Sequence, residues 1–206
     1  MRTCYIFIVS NIFFLLCTLP LYAQGKSRVY DVILGRRMIQ RPIDILPKWS
    51  SMLNKVQKKR ESLHDASRIS TYTWGKIKQL WAQLSTKEKV EKVNALFNAF
   101  PYTEDILNYG LEDYWATPKE FLSHSGDCED YAITKFYALK DLGIPEHDMR
   151  ILVLIDTIRG IGHAVLLVHY DNEIYLLDNV SELILPAKLY THYDPQFSVD
   201  RFGVYL

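Results

Sequence analysis

Hydrophobic spacing in this chain changes once, near residue 145, and that change restricts the fold more than any other feature. Upstream, apolar residues recur at helical intervals. Pro47 is suited to a first helical position, followed by Trp49, Met52, Leu53, Val56 and Leu63. Trp74, Ile77, Trp81 and Leu84 repeat the spacing. Ser85 with Glu88 forms a capping box that opens a third helix, with Val90, Val93, Leu96, Phe97 and Phe100 inward until Pro101. Thr117 and Pro118 start a short helix that His124-Ser125-Gly126 interrupts. A further helix begins at Asp127 or Cys128, carries Ala132, Phe136, Leu139 and Leu142 on the Cys128 stripe, and stops at Gly143 and Pro145.

Downstream the period is that of strands. Residues 150–155 are a continuous apolar run. Residues 162–170 and 173–177 flank Asp171-Asn172, a two-residue hairpin turn. Residues 199–206 read as an edge strand, and residues 29–34 as one isolated strand. Residues 101–117 are aromatic and acidic without a period, and read as a structured loop. Helices first and strands after predict an α+β fold, an N-terminal helical lobe packed on a C-terminal antiparallel sheet.

The first 23 residues stand apart. Arg2 precedes an apolar run, Pro20 breaks it, and Ala23 offers a small residue for cleavage before Gln24. This is the layout of a signal peptide, and the run is short of the ~20 residues that span a bilayer. The expectation is an exported chain with one domain over residues 24–206 and no stable membrane insertion after cleavage. A formal net charge of zero, with no long basic run, gives no electrostatic support for nucleic-acid binding.

Cleavage would remove Cys4 and Cys17 and leave Cys128 as the remaining cysteine. A lone thiol in an exported domain cannot form an internal disulfide. It is a buried small hydrophobe, an intermolecular link or a reactive group. Position favours reactivity: a helix N-terminus lowers a thiol pKa and aims the Cys128 N–H where an oxyanion would form.

A nucleophile needs a base and a group to orient it. With Asp171-Asn172 as the turn, Tyr170 faces Glu173 and Val165 faces Asp178. His163 then lies diagonally beside Asp178 on one strand face, roughly 7 Å away between Cα atoms. The other histidines are poorer candidates. His64 is at a polar helix end, His124 in a Ser/Gly loop, His147 in a turn, His169 near the hairpin tip and His192 in a Tyr/Pro-rich tail.

Asp127, Glu129 and Asp130 crowd the same thiol. Capping and the helix dipole account for one or two carboxylates there. Three of them oppose thiolate formation, which a bound hard cation would relieve, and oxygen ligands select Ca²⁺ or Mg²⁺.

The block Gly126-Asp-Cys-Glu-Asp-Tyr-Ala132 follows Glu112-Asp-Tyr-Trp-Ala-Thr-Pro118 and precedes Gly162-His163 and Leu177-Asp178-Asn179. Together these resemble the bacterial transglutaminase-like cysteine proteinases of the LapG type, over roughly residues 45–190. The resemblance implies a papain-like, transglutaminase-type fold with Cys128 as nucleophile, His163 as base and Asp178 as orienter. It implies a periplasmic endopeptidase that clips a large surface adhesin and releases cells from a biofilm. It also implies dependence on calcium held by Asp127, Glu129 and Asp130, and restraint by an inner-membrane receptor that senses cyclic di-GMP. Tyr109-Gly110 departs from the Trp-Gly of that pattern. Two other classes fit the same residues: a transglutaminase or amidase using the same triad, and a catalytically silent binding domain.

Overall fold

The computed structural model describes residues 28–206. The signal-peptide reading of residues 1–23 lies outside the described residues.

A short 3-10 turn at Arg28–Tyr30 leads into a small hairpin of β1 (Val32–Ile33) and β2 (Arg36–Arg37), then β3 (Gln40–Arg41). Where one strand was expected over 29–34, the backbone turns at Leu34 and Gly35, both with positive φ, and folds back. Helix α1 (Pro47–Lys59) has Pro47 in its first turn and buries Trp49, Met52 and Leu53. A second small hairpin, β4 (Arg68–Ile69) and β5 (Tyr72–Thr73), precedes α2 (Trp74–Trp81). In α3 (Thr86–Asn98) both arms of the Ser85–Glu88 capping box form, and Val90, Val93 and Phe97 are buried.

The aperiodic stretch after Pro101 contains one element beyond loop, the five-residue helix α4 (Asp105–Tyr109), which Gly110 ends in the left-handed conformation. Helix α5 (Pro118–His124) carries a second capping box, Thr117 with Glu120. Helix α6 (Cys128–Asp141) takes Asp127 as its N-cap residue and Cys128 as its first residue. It is buried from Glu129 through Leu139, so it is the central rod of the helical layer, packed on α3, α5 and the sheet.

Six longer or shorter strands follow: β6 (Met149–Asp156), β7 (Ile161–Tyr170), β8 (Glu173–Leu177), β9 (Leu185–Pro186), β10 (Tyr193–Asp200) and β11 (Gly203–Tyr205). With β3 they form a seven-stranded sheet in the order β3-β11-β10-β6-β7-β8-β9. Its pairings are all antiparallel. The chain therefore has the α+β, papain-like architecture expected. Asp171 and Asn172 both take positive φ, the geometry of a type I′ turn, and Tyr170 pairs with Glu173 as the turn dictates.

The tail corrects one expectation. It supplies two strands inside the sheet, β10 between β6 and β11, and the edge falls to β3. Pro195 hid this, because a proline demotes a run to an edge. Here the register shifts between Pro195 and Phe197, so the irregularity absorbs the missing donor.

Two apolar clusters hold the sheet. On one face Met149, Ile151, Leu166 and Val168 meet Trp49, Trp74, Phe97, Phe121, Ile133 and Phe136 of the helices. On the other, Leu152, Leu154, Val165 and Leu167 meet Tyr30, Ile33 and Met38 of the N-terminal segment. The sheet is thus covered on both sides, and the α6 N-terminus is carried to one end of β7.

Candidate active site

Cys128 is the free cysteine among the described residues and is partly exposed. Its sulfur approaches the backbone N–H of Ala164, the residue after His163, so α6 brings the thiol beside β7. Burial raises the thiol pKa, and the charges of Glu129 and Asp127 raise it further. The thiol's side-chain hydrogen bond goes to Glu129 Oε2 at 3.3 Å. A helix N-terminus was expected to lower the thiol pKa; burial first, and then Glu129 and Asp127 of the same helix turn, raise it instead.

His163 and Asp178 meet as the hairpin register requires. His163 Nε2 is 2.9 Å from Asp178 Oδ1, and both side chains are almost fully buried. Burial pushes the Asp178 carboxyl up. The His163 hydrogen bond and charge, with the Tyr193 hydroxyl and the Val180 N–H, outweigh that and hold it at about 2. An ionised carboxylate only accepts, so Nε2 carries a proton towards Asp178 and Nδ1 is the nitrogen on the far side of the ring. Tyr193 donates to Asp178 Oδ2 at 2.6 Å and meets the imidazole edge-on, 5.9 Å between ring centroids. Each carboxylate oxygen of Asp178 therefore has a donor.

The acids around Cys128 differ sharply. Asp127, Glu129 and Asp130 are joined by Asp105 of α4 and Asp113 of the following loop. One oxygen each from Asp105, Asp127 and Asp130 lie within 4.8 Å of one another, as do oxygens from Asp105, Asp113 and Glu129. Two oxygens of the cluster are satisfied by the Tyr114–Ala116 backbone: the Tyr114 N–H donates to Asp105 Oδ2 and the Ala116 N–H to Asp130 Oδ1. Three others are not. Asp105 Oδ1, Asp127 Oδ1 and Asp130 Oδ2 are buried without a partner. Burial, then mutual repulsion, raises the carboxyl pKa values of Asp127 and Asp130; Asp105 is raised by burial first, with Asp113 adding to it. Glu129 is likewise raised, again chiefly by burial.

Gly126 makes this packing possible. A Cβ there would stand 2.1 Å from Asp130 Oδ2, so any side chain would expel the carboxylate. Three carboxylates that bring oxygens within 4.8 Å of one another, each with a buried oxygen lacking a partner, fit a hard cation and no softer one.

Sequence reasoning did not find Asp105, Asp113 or Tyr193. The first two lie in the acidic stretch 101–117, whose composition was a signal but whose folding back onto α6 was not. Tyr193 had no signal, since its strand was hidden by Pro195. Of the other histidines, His169 pairs with Asp148 at 3.3 Å near the hairpin tip, His147 also approaches Asp148, and His192 packs edge-on against Tyr193, 4.4 Å between ring centroids.

A thiol at the start of a buried helix, laid against an antiparallel sheet that carries a His–Asp pair, defines a transglutaminase-type fold with a cysteine site. The family described as bacterial transglutaminase-like cysteine proteinase matches residues 64–197, and the chain belongs to it. It is accordingly a cysteine protease of the transglutaminase-like class. Among solved structures, Legionella pneumophila LapG is 32% identical, with a TM-score of 0.58 over 65% of this chain and 75% of that one. Its calcium-bound form is 31% identical, with a TM-score of 0.61 over 75% of this chain and 87% of that one. Its EGTA-treated form is 32% identical, with a TM-score of 0.58 over 65% and 73%. Comparison with curated protein sequences gave no match.

Proposed function

We propose that the chain is a calcium-dependent periplasmic endopeptidase that cleaves a large cell-surface adhesin and so promotes release from a biofilm. Cys128 is the nucleophile, His163 the base and Asp178 its orienter. The observation that carries the triad is the buried His163–Asp178 pair, bonded through Nε2, on the strand that the Cys128 sulfur approaches.

Catalysis then proceeds through the chain's own groups. His163 Nδ1 takes the Cys128 proton, and the thiolate attacks a peptide carbonyl. The Cys128 N–H, unpaired at the start of α6, donates to the oxyanion. The imidazolium returns its proton to the leaving amine. Water, deprotonated by His163, then hydrolyses the thioester and frees the thiol. For the first step Glu129 must release Sγ. Glu129 belongs to the group with Asp105 and Asp113 as well as to the one with Cys128, so it has an alternative place to turn.

Calcium fits the partnerless oxygens of Asp105, Asp127 and Asp130, with Glu129 and Asp113 adjoining. When bound, it supplies positive charge that offsets the carboxylates beside the thiol. The calcium-bound LapG relative supports the choice of this cation. The adhesin substrate and a cyclic-di-GMP-sensing inner-membrane receptor as partner rest on the LapG likeness, and periplasmic location on the pattern of residues 1–23. Among the described residues no helix is long and apolar enough to cross a membrane.

Incubating the purified chain with the adhesin of its host, with calcium and with EGTA, tests the proposal. Discrete fragments with calcium, absent in Cys128→Ala, are expected. Cross-linked product without fragments would instead make it a transglutaminase, and no change at all would leave a binding domain.

A further inference from the structure

Helix α6 contains a lysine where none is needed for packing. Lys135 is 1% exposed, in the middle of the most deeply buried helix. It lies seven residues after Cys128, two turns along the same face of the rod. Burial lowers its ammonium pKa to about 7, opposed by the charge of Asp178. A methionine would fill such a position without that cost.

Its bonds identify what it holds. Lys135 Nζ donates to Asn94 Oδ1 at 2.8 Å and to the backbone carbonyl of Asp178 at 3.1 Å. Asn94, with its oxygen so engaged, turns its amide to the Ser181 carbonyl at 3.0 Å. Asn98, one turn along α3, donates to the Asp178 carbonyl at 2.9 Å and to the Ser181 carbonyl at 3.0 Å. Both lone pairs of the Asp178 carbonyl are thus taken by side chains of two helices. The strand β8 ends at Leu177, so no ladder fixes Asp178, and this clamp replaces it.

We infer that Lys135, with Asn94 and Asn98, is a positioning group for the reaction: it fixes the Asp178 backbone so that the carboxylate meets His163. One rigid helix thereby sets both the nucleophile, at its first residue, and the orienting acid, through its eighth. This inference rests on the proposed Cys128–His163–Asp178 mechanism. Misplacing a reacting group by about 1 Å costs on the order of a hundredfold in rate, and a supporting bond of this kind has that scale of effect.

The test is a double-mutant cycle on the full mature chain, read by kcat and KM for substrate cleavage and by thermal melting. Lys135→Met is expected to lose about ten- to a hundredfold in kcat, with KM within about twofold and a melting temperature close to the parent's, since removal of the buried ammonium offsets the donor lost to Asn94 Oδ1. In an Asp178→Asn background the same change should cost almost nothing further, because its effect passes through Asp178. Asn98→Leu, which removes the other donor to that carbonyl, should show a smaller loss of the same kind. Full activity in Lys135→Met overturns the inference. So does an undiminished further loss in the Asp178→Asn background, or a loss that only tracks a lowered melting temperature while Asn98→Leu is unaffected. If Asp178→Asn itself is fully active, the failure is of the triad reading instead.

Discussion

Asp178 and Asp130 are both buried aspartates within the reach of one helix, and they are opposite in state. Asp178 accepts from His163, Tyr193 and Val180, and its pKa falls to about 2. Asp130 accepts from Ala116 on one oxygen, has no partner on the other, and its pKa is driven well up by burial and by Asp127. The difference is the supply of donors. Folding of this chain alone completes the His–Asp side of the site. It leaves the acid cluster short of positive charge, and a cation from outside would complete it. On the proposed reading the first side is a fixed part and the second a site of control.

The comparison can be broken at several points, in descending order of effect. Cys128→Ala is expected to abolish peptide cleavage to background while circular dichroism and melting stay those of the parent; residual cleavage above background would remove the thiol from the chemistry. Asp178→Asn keeps the shape and takes away the charge that fixes the His163 tautomer, and should cost about 10³- to 10⁴-fold in kcat, measured under saturating substrate. Asp130→Asn should act in two directions. It weakens calcium binding by about 10- to 100-fold, since ligand charge sets affinity, and it raises the melting temperature of the calcium-free chain by relieving repulsion. Calorimetry and thermal melts with EGTA report the two effects separately. Tyr193→Phe removes one bond to Asp178, and a loss of about tenfold in kcat is expected for a hydrogen bond to a charged group.

The two aspartates also predict opposite pH behaviour. Asp178 has a folded pKa below its unfolded value, so its contribution of about 2 kcal/mol is present above pH ~4 and is lost as pH falls towards 2. Asp127 and Asp130 have folded values above their unfolded ones. Their contribution is favourable below pH ~4 and is lost as pH rises through neutrality. Calcium should therefore raise the melting temperature more at pH 8 than at pH 5. An equal shift at both pH values would separate calcium from these carboxylates.

How far these features could be read from the sequence follows from how local their causes are. The start of α6 at Cys128 is written in Asp127 and the apolar stripe behind it. The meeting of His163 with Asp178 is written in the Asp171-Asn172 turn, because a two-residue turn fixes every pair down the hairpin. Asp105 and Asp113 come from a segment without periodicity, and their approach to Asp130 depends on Gly126 leaving room and on the Tyr114–Ala116 backbone donating inward. Tyr193 depends on a bulged strand that Pro195 disguised. Lys135 is one of several charges in α6 and its spacing does not single it out, because its acceptors come from α3 and from the segment after β8. Non-local packing of this kind leaves no trace in spacing.

On the proposed reading burial and the neighbouring carboxylates restrain the thiol, a cation offsets the carboxylates, and His163 then activates it. The rate of Cys128 alkylation by iodoacetamide at neutral pH, measured with calcium and with EGTA, tests this reading most directly. The account predicts alkylation at least about tenfold faster with calcium, since each pKa unit is tenfold in thiolate, and loss of that gain in His163→Ala. Equal rates in calcium and in EGTA, at the slow pace of a protonated thiol, would contradict it.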